Sequence, residues 1–124
     1  MLAYRDLTNR IIGLAIEVHR TIGPGLLESV YAECLYDELA QAGIPFQRQV
    51  GVPVTYKGRT LPLGFRADIL VADAVVAEVE AVAALLSAHD AQVLTYLRMS
   101  HIRVGRLMNF YATRLKDGLR RFIV

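Results

Sequence analysis

Apolar residues recur along the chain with two different periods, and the change of period divides it into elements. Ile11, Ile12, Ala15, Ile16 and His19 return at three- and four-residue intervals, which predicts a helix capped by Asp6 or Thr8. It should end at Thr21-Ile22-Gly23-Pro24-Gly25, where glycine and proline cannot continue a helix. A second helix is predicted to begin near Leu26, to carry Leu27, Val30, Tyr31, Cys34, Leu35, Glu38 and Leu39, and to stop at Gly43. From Ile44 the pattern alternates, with Phe46, Arg48, Val50, Val52, Val54 and Tyr56 set off by polar or small neighbours, as in a strand. Lys57-Gly58-Arg59 reads as a hairpin turn into a short strand, Thr60-Leu61-Pro62-Leu63. Pro53 and Pro62 have no backbone donor and predict edge positions or bulges.

The stretch from Phe65 to Val82 reads as two further strands joined at Ala72-Asp73-Ala74. Ser87 or His89 opens a third helix that runs to Ser100. Arg103 to Phe110 then looks like a buried strand, parallel to its neighbour because a helix precedes it, and Leu119 to Val124 like a last short one. The chain shows no repeat, low-complexity tract or linker. It therefore reads as one α/β (α+β) domain over residues 1–124, in the order α-α-β-β-β-β-α-β-β.

The Phe65–Val82 hairpin also carries candidate chemistry. Alternate side chains of a strand share a face, so Glu78 and Glu80 point the same way, roughly 7 Å apart, and Asp68 can lie opposite them. A solvated strand face would explain these carboxylates. So would a divalent cation that relieves their repulsion, since Ile69, Val71, Val76, Ala77 and Val79 leave little polar surface around them. Glu28 either lends a favourable charge to a helix N-terminus, worth about 0.3–1 kcal/mol, or points at the sheet as a fourth carboxylate. Gln92 and Tyr96, four apart, share one helix face. His19, His89 and His101 are not spaced as a metal set, and none stands out as a general base; His19 reads as a core or helix-end residue. No phosphate-binding glycine loop, Ser-His-Asp arrangement or zinc motif is present.

Composition narrows the classes. With 124 residues, 54% of them apolar, the chain is long enough to bury a core. No apolar run approaches the ~20 residues of a membrane span, so no membrane partner is expected. The first residues lack the layout of a signal peptide, which predicts a cytoplasmic protein. A lone Cys34 makes no internal disulfide and no thiolate metal site. Net charge is +2, with twelve Arg against two Lys, a bias that a GC-rich genome produces as readily as a phosphate-binding surface does.

Gly25-Leu26-Leu27-Glu28-Ser29-Val30-Tyr31 resembles the signature of the GxxExxY proteins, a small bacterial family that looks like a branch of the PD-(D/E)xK nuclease superfamily. The likeness continues in Tyr56-Lys57-Gly58, Phe65-Arg66-Ala67-Asp68-Ile69-Leu70-Val71, Ala91-Gln92-Val93-Leu94-Thr95-Tyr96-Leu97 and Arg103-Val104-Gly105-Arg106-Leu107-Met108-Asn109-Phe110, about residues 5 to 124. The resemblance implies a restriction-endonuclease-like core, a central mixed sheet flanked by helices, that hydrolyses phosphodiester bonds of DNA or RNA. It implies Glu28, Asp68, Glu78 and Glu80 as ligands of Mg2+ or Mn2+, with Asp68, Glu78, Glu80, Gln92 and Tyr96 in the catalytic set. Gln92 and Tyr96 would orient the substrate or a site residue by hydrogen bonds.

One position departs from the pattern: the family has Lys where this chain has Glu80, and the residues that follow are Ala81-Val82-Ala83-Ala84. Lys57 and Lys116 lie in a turn and a late loop, while Arg66 is close in sequence to Asp68. Three functions follow as expectations. The first is a metal-dependent nuclease-like domain, weakened by Glu80. The second is an inactive module of the same fold that binds nucleic acid or protein. The third is a homo-oligomer paired through the apolar C-terminal strand.

Overall fold

The computed structural model describes residues 2–124, apart from the side chains of residues 2, 3, 63 and 65. Helices α1 (Leu2–Ile22) and α2 (Glu28–Gln41) precede strands β1 (Phe46–Tyr56), β2 (Arg59–Val71) and β3 (Val75–Glu80). Helix α3 (Ser87–Ser100), β4 (Val104–Asn109), a short 3-10 turn at Leu115–Gly118 and β5 (Leu119–Ile123) follow. The strands form one five-stranded sheet in the order β1-β2-β3-β4-β5. Its pairs are antiparallel except β3–β4, which is parallel and joined through α3. This is the expected α+β architecture, with the one parallel pair where a helix makes the crossover.

Several boundaries differ from the sequence reading. Helix α1 already runs from Leu2, and Thr8 is no cap, because its hydroxyl donates to the Arg5 carbonyl at 2.9 Å inside the helix. Tyr4 and Leu7 pack on the core and carry the apolar stripe back past Asp6. Helix α2 starts at Glu28 rather than near Leu26, so Glu28 is its first residue. The two short strands expected on either side of Gly64 are one strand, β2. Its pairing with β1 slips between Val52 and Val54, where Pro53 faces Pro62 and Gly64 across a bulge. A Cβ on Gly64 would stand 1.8 Å from the Val52 carbonyl oxygen, so only glycine lets the strands close there. β3 ends at Glu80, leaving Ala81 and Val82 outside it.

Each face of the sheet has its own apolar cluster. Ile11, Ala15 and Val18 of α1 and Tyr31, Leu35 and Leu39 of α2 pack on Ile69, Val71, Val75, Ala77, Val79, Val104 and Met108. On the other face, Val93 and Leu97 of α3 meet Ala67, Val76 and Leu107. Gly105 lets α3 approach β4, since a Cβ there would come within 2.9 Å of the Val93 side chain. Helix α2 ends in a Schellman-type turn in which Gly43 (φ 72°) donates to Ala40 O at 3.1 Å and Ile44 to Leu39 O at 3.0 Å. His19 is buried at the end of α1, its Nε2 donating to the Ala112 carbonyl at 2.8 Å.

Candidate active site

The site assembles where α2 begins and where β2 and β3 part. Gly25 adopts φ 100°, which turns the chain from α1 into α2. The Tyr31 hydroxyl donates to Gly23 O at 2.6 Å and accepts the Leu26 N–H at 3.1 Å. Its ring stacks on Phe110 with centroids 4.6 Å apart. Tyr31 thus ties the corner to the core from one turn inside the helix and fixes where Glu28 stands.

The β2–β3 ladder runs through Val71–Val75, Leu70–Val76 and Ile69–Ala77. At the next step the side chains replace the backbone pairing. The Asp68 N–H donates to Glu78 Oε1 at 3.2 Å, and the Val79 N–H donates to Asp68 Oδ2 at 2.8 Å. Glu78 is only 5% exposed, and burial, then the neighbouring Asp68 carboxylate, pushes its carboxyl up to about 10. At neutral pH it therefore keeps its proton.

Glu28 and Glu80 form a second pair, within hydrogen-bonding reach of each other. Partial burial and the charges of Glu80 and Asp68 push Glu28 up to about 7, and burial raises Glu80 as well. Asp68 acts on both pairs. Tyr96 of α3 faces the same group: burial and then Glu78, Asp68 and Glu80 push its phenol up to about 12. Gln92, one turn earlier, is exposed. A groove of about 380 Å3 opens beside the group, lined by Leu27, Glu28, Ser29, Ala32, Gln49 and Asp68.

The structure therefore brings Glu28, Asp68, Glu78, Glu80 and Tyr96 together and leaves Gln92 at the surface nearby. A family model described as the PD-(D/E)XK nuclease superfamily matches residues 5–122. The chain belongs to the PD-(D/E)XK nuclease superfamily. No curated protein and no solved structure matches it. The mixed sheet flanked by helices is the restriction-endonuclease-like fold, and no helix is long and apolar enough to cross a membrane among the described residues.

Nucleases of this superfamily generally use divalent metals such as Mg2+, and a donor set of carboxylate oxygens suits such hard cations. Among the described residues, no three His, Cys, Asp or Glu side chains close into a metal-holding cluster. The four carboxylates stand instead as two close pairs in which burial and mutual repulsion raise Glu28, Glu78 and Glu80. A divalent cation relieves that repulsion, so the chemistry of the donors fits a metal.

Three residues near this PD-(D/E)XK site escaped the sequence reading. His89 accepts the Leu86 N–H on Nδ1 at 2.8 Å and lies near Glu28. Asn109 is paired in register with Glu80, and its side chain accepts the Val82 N–H at 3.0 Å and donates to Val82 O at 2.9 Å. That clamp holds the chain just beyond Glu80. Gln49 lines the groove although it belongs to β1. Asn109 was visible only as one letter of a longer motif, and for Gln49 the sequence carried no signal.

Proposed function

We propose that the protein is a metal-dependent nuclease that hydrolyses phosphodiester bonds of DNA or RNA, and that within its superfamily it is a member of the bacterial GxxExxY branch. The observation that carries this reading is the gathering of Glu28, Asp68, Glu78 and Glu80 beside Tyr96 at the point where β2 and β3 part. Those four carboxylates are the proposed ligands of Mg2+ or Mn2+. Bound there, such a cation would supply Lewis acidity toward a phosphodiester and lower the pKa of water. Asp68 and Glu78 each have one oxygen engaged by a backbone N–H, which directs the other. Tyr96 keeps its phenolic proton across the neutral range and serves as a donor. Gln92 offers an exposed amide to the substrate backbone.

The test is cleavage of mixed DNA and RNA substrates with Mn2+, comparing the native protein with Asp68→Ala. Cleavage by the native protein alone supports the reading. If millimolar Mg2+ or Mn2+ leaves the melting temperature unchanged, the proposed metal ligands are wrong.

The Glu28–Glu80 pair favours a second reading. Where the family pattern puts a lysine, this chain has an acid beside Glu28. A non-catalytic nucleic-acid- or protein-binding module would tolerate that, would bind without cleaving, and would gain cleavage in Glu80→Lys. A self-paired form is also proposed, because β5 lies at the sheet edge with Ile123 and Val124 exposed; an elution volume that matches a monomer at high concentration removes it.

A further inference from the structure

Gln49 stands inside β1 with φ 54°, in the left-handed region that residues bearing a Cβ rarely adopt. The β1–β2 pairing joins Arg48 to Ile69 and Val50 to Ala67, and passes over Gln49 and Asp68 between them. A strained backbone at the residue facing a candidate metal ligand persists only where its surroundings demand it. Here the strain turns an exposed amide into the groove beside Leu27, Glu28, Ser29, Ala32 and Asp68.

That amide is within hydrogen-bonding reach of the Tyr36 hydroxyl. Tyr36 is itself buried, stacked on Phe46 at 5.6 Å, and covered by the Arg48 guanidinium 5.0 Å from its ring centroid. The Gln49 amide brings a carbonyl acceptor and two N–H donors to the groove. The ionisable groups lining the groove are Glu28 and Asp68, both acidic. A neutral amide supplies a donor and an acceptor there without adding charge, which suits the sugar or base edge of a nucleotide.

We propose that Gln49 is a substrate-binding residue that holds, in this groove, the nucleotide next to the phosphate being cleaved. The inference rests on the nuclease reading above. It is tested by fluorescence-polarisation binding of matched DNA and RNA oligonucleotides in Ca2+, together with thermal melts, for the native protein, Gln49→Gly and Gln49→Asn. Glycine releases the strain and removes the amide, so Gln49→Gly should melt higher yet bind about tenfold more weakly, the usual size for one lost amide contact. Asparagine tolerates the same backbone and shortens the reach, so Gln49→Asn should keep its melting temperature and bind equally weakly. A stronger effect on RNA than on DNA assigns the contact to the 2′-hydroxyl; an equal effect assigns it to the base edge. If both variants bind as the native protein does, the role of Gln49 falls while the nuclease reading stands. If the native protein binds neither oligonucleotide, both fall.

Discussion

The two carboxylate pairs of the site are held in different ways. Asp68 and Glu78 lie on adjacent strands and are locked by the backbone N–H groups of Val79 and Asp68, with Glu78 buried. Glu28 and Glu80 meet between a helix start and a strand end, and only their side chains join them. The first pair is part of the sheet and cannot move without opening it. The second can rearrange around a cation at little structural cost. The site thus has a rigid half set by strand register and an adjustable half set by loop and helix placement.

Breaking the rigid half has the largest expected effect. Asp68→Ala removes a proposed ligand and leaves the Val79 N–H without its acceptor, so metal-dependent cleavage and the metal-linked rise in melting temperature should disappear. Stability should also fall by about 1–3 kcal/mol, read by denaturant titration. In the adjustable half, Glu80→Lys removes a proposed ligand and sets a cation beside Glu28. For the nuclease, cleavage in Mn2+ should fall by about tenfold or more. A gain of cleavage would favour the non-catalytic module instead, and an unchanged rate would show that Glu80 is not a metal ligand.

Asn109→Ala probes how the adjustable half is supported. It frees both polar groups of Val82 just beyond Glu80 and should cost about 2 kcal/mol, again by denaturant titration, while the Asp68–Glu78 half keeps its pairing. The mildest test is pH. Glu28 and Glu78 have folded-state values above the ordinary 4.5, so the folded protein holds more protons than the unfolded chain at intermediate pH. Metal-free stability is therefore highest near the ordinary carboxyl value and declines as pH rises, up to about 7 for Glu28 and about 10 for Glu78. Glu28→Gln should flatten the melting-temperature profile only below about pH 7, and Glu78→Gln should flatten it across the whole range above the ordinary carboxyl value. Added Mn2+ should release protons, measurable in weakly buffered solution, and bind more tightly as pH rises through 7.

The rigid half was the more legible in the sequence. A turn at Ala72-Asp73-Ala74 between apolar strands makes an antiparallel hairpin, and period-two alternation then sends Glu78 and Glu80 to one face with Asp68 opposite. The parallel β3–β4 pair was legible for a similar reason, since a helix lies between the two strands. The start of α2 was not: nothing in the composition of Leu26-Leu27-Glu28 marks the first helical residue, because no side chain caps it. The Tyr31 hydroxyl, reaching back across the corner, sets that boundary. The continuity of β2 through Pro62 and Gly64 was hidden as well, since residues that usually interrupt a strand are absorbed here by a bulge.

The sequence by itself determined the periods and the turns, because those depend on neighbours a few residues apart, and the superfamily, because its motifs follow one another in order along the chain. Tertiary structure alone decided that Glu28 reaches Glu80, that His89 lies near Glu28, that Asn109 clamps Val82, and that Gln49 turns out of its strand into the groove. Each of these joins segments distant in the chain. Their geometry is fixed by how two helices and α3 pack on opposite faces of one sheet, which no local pattern of residues encodes.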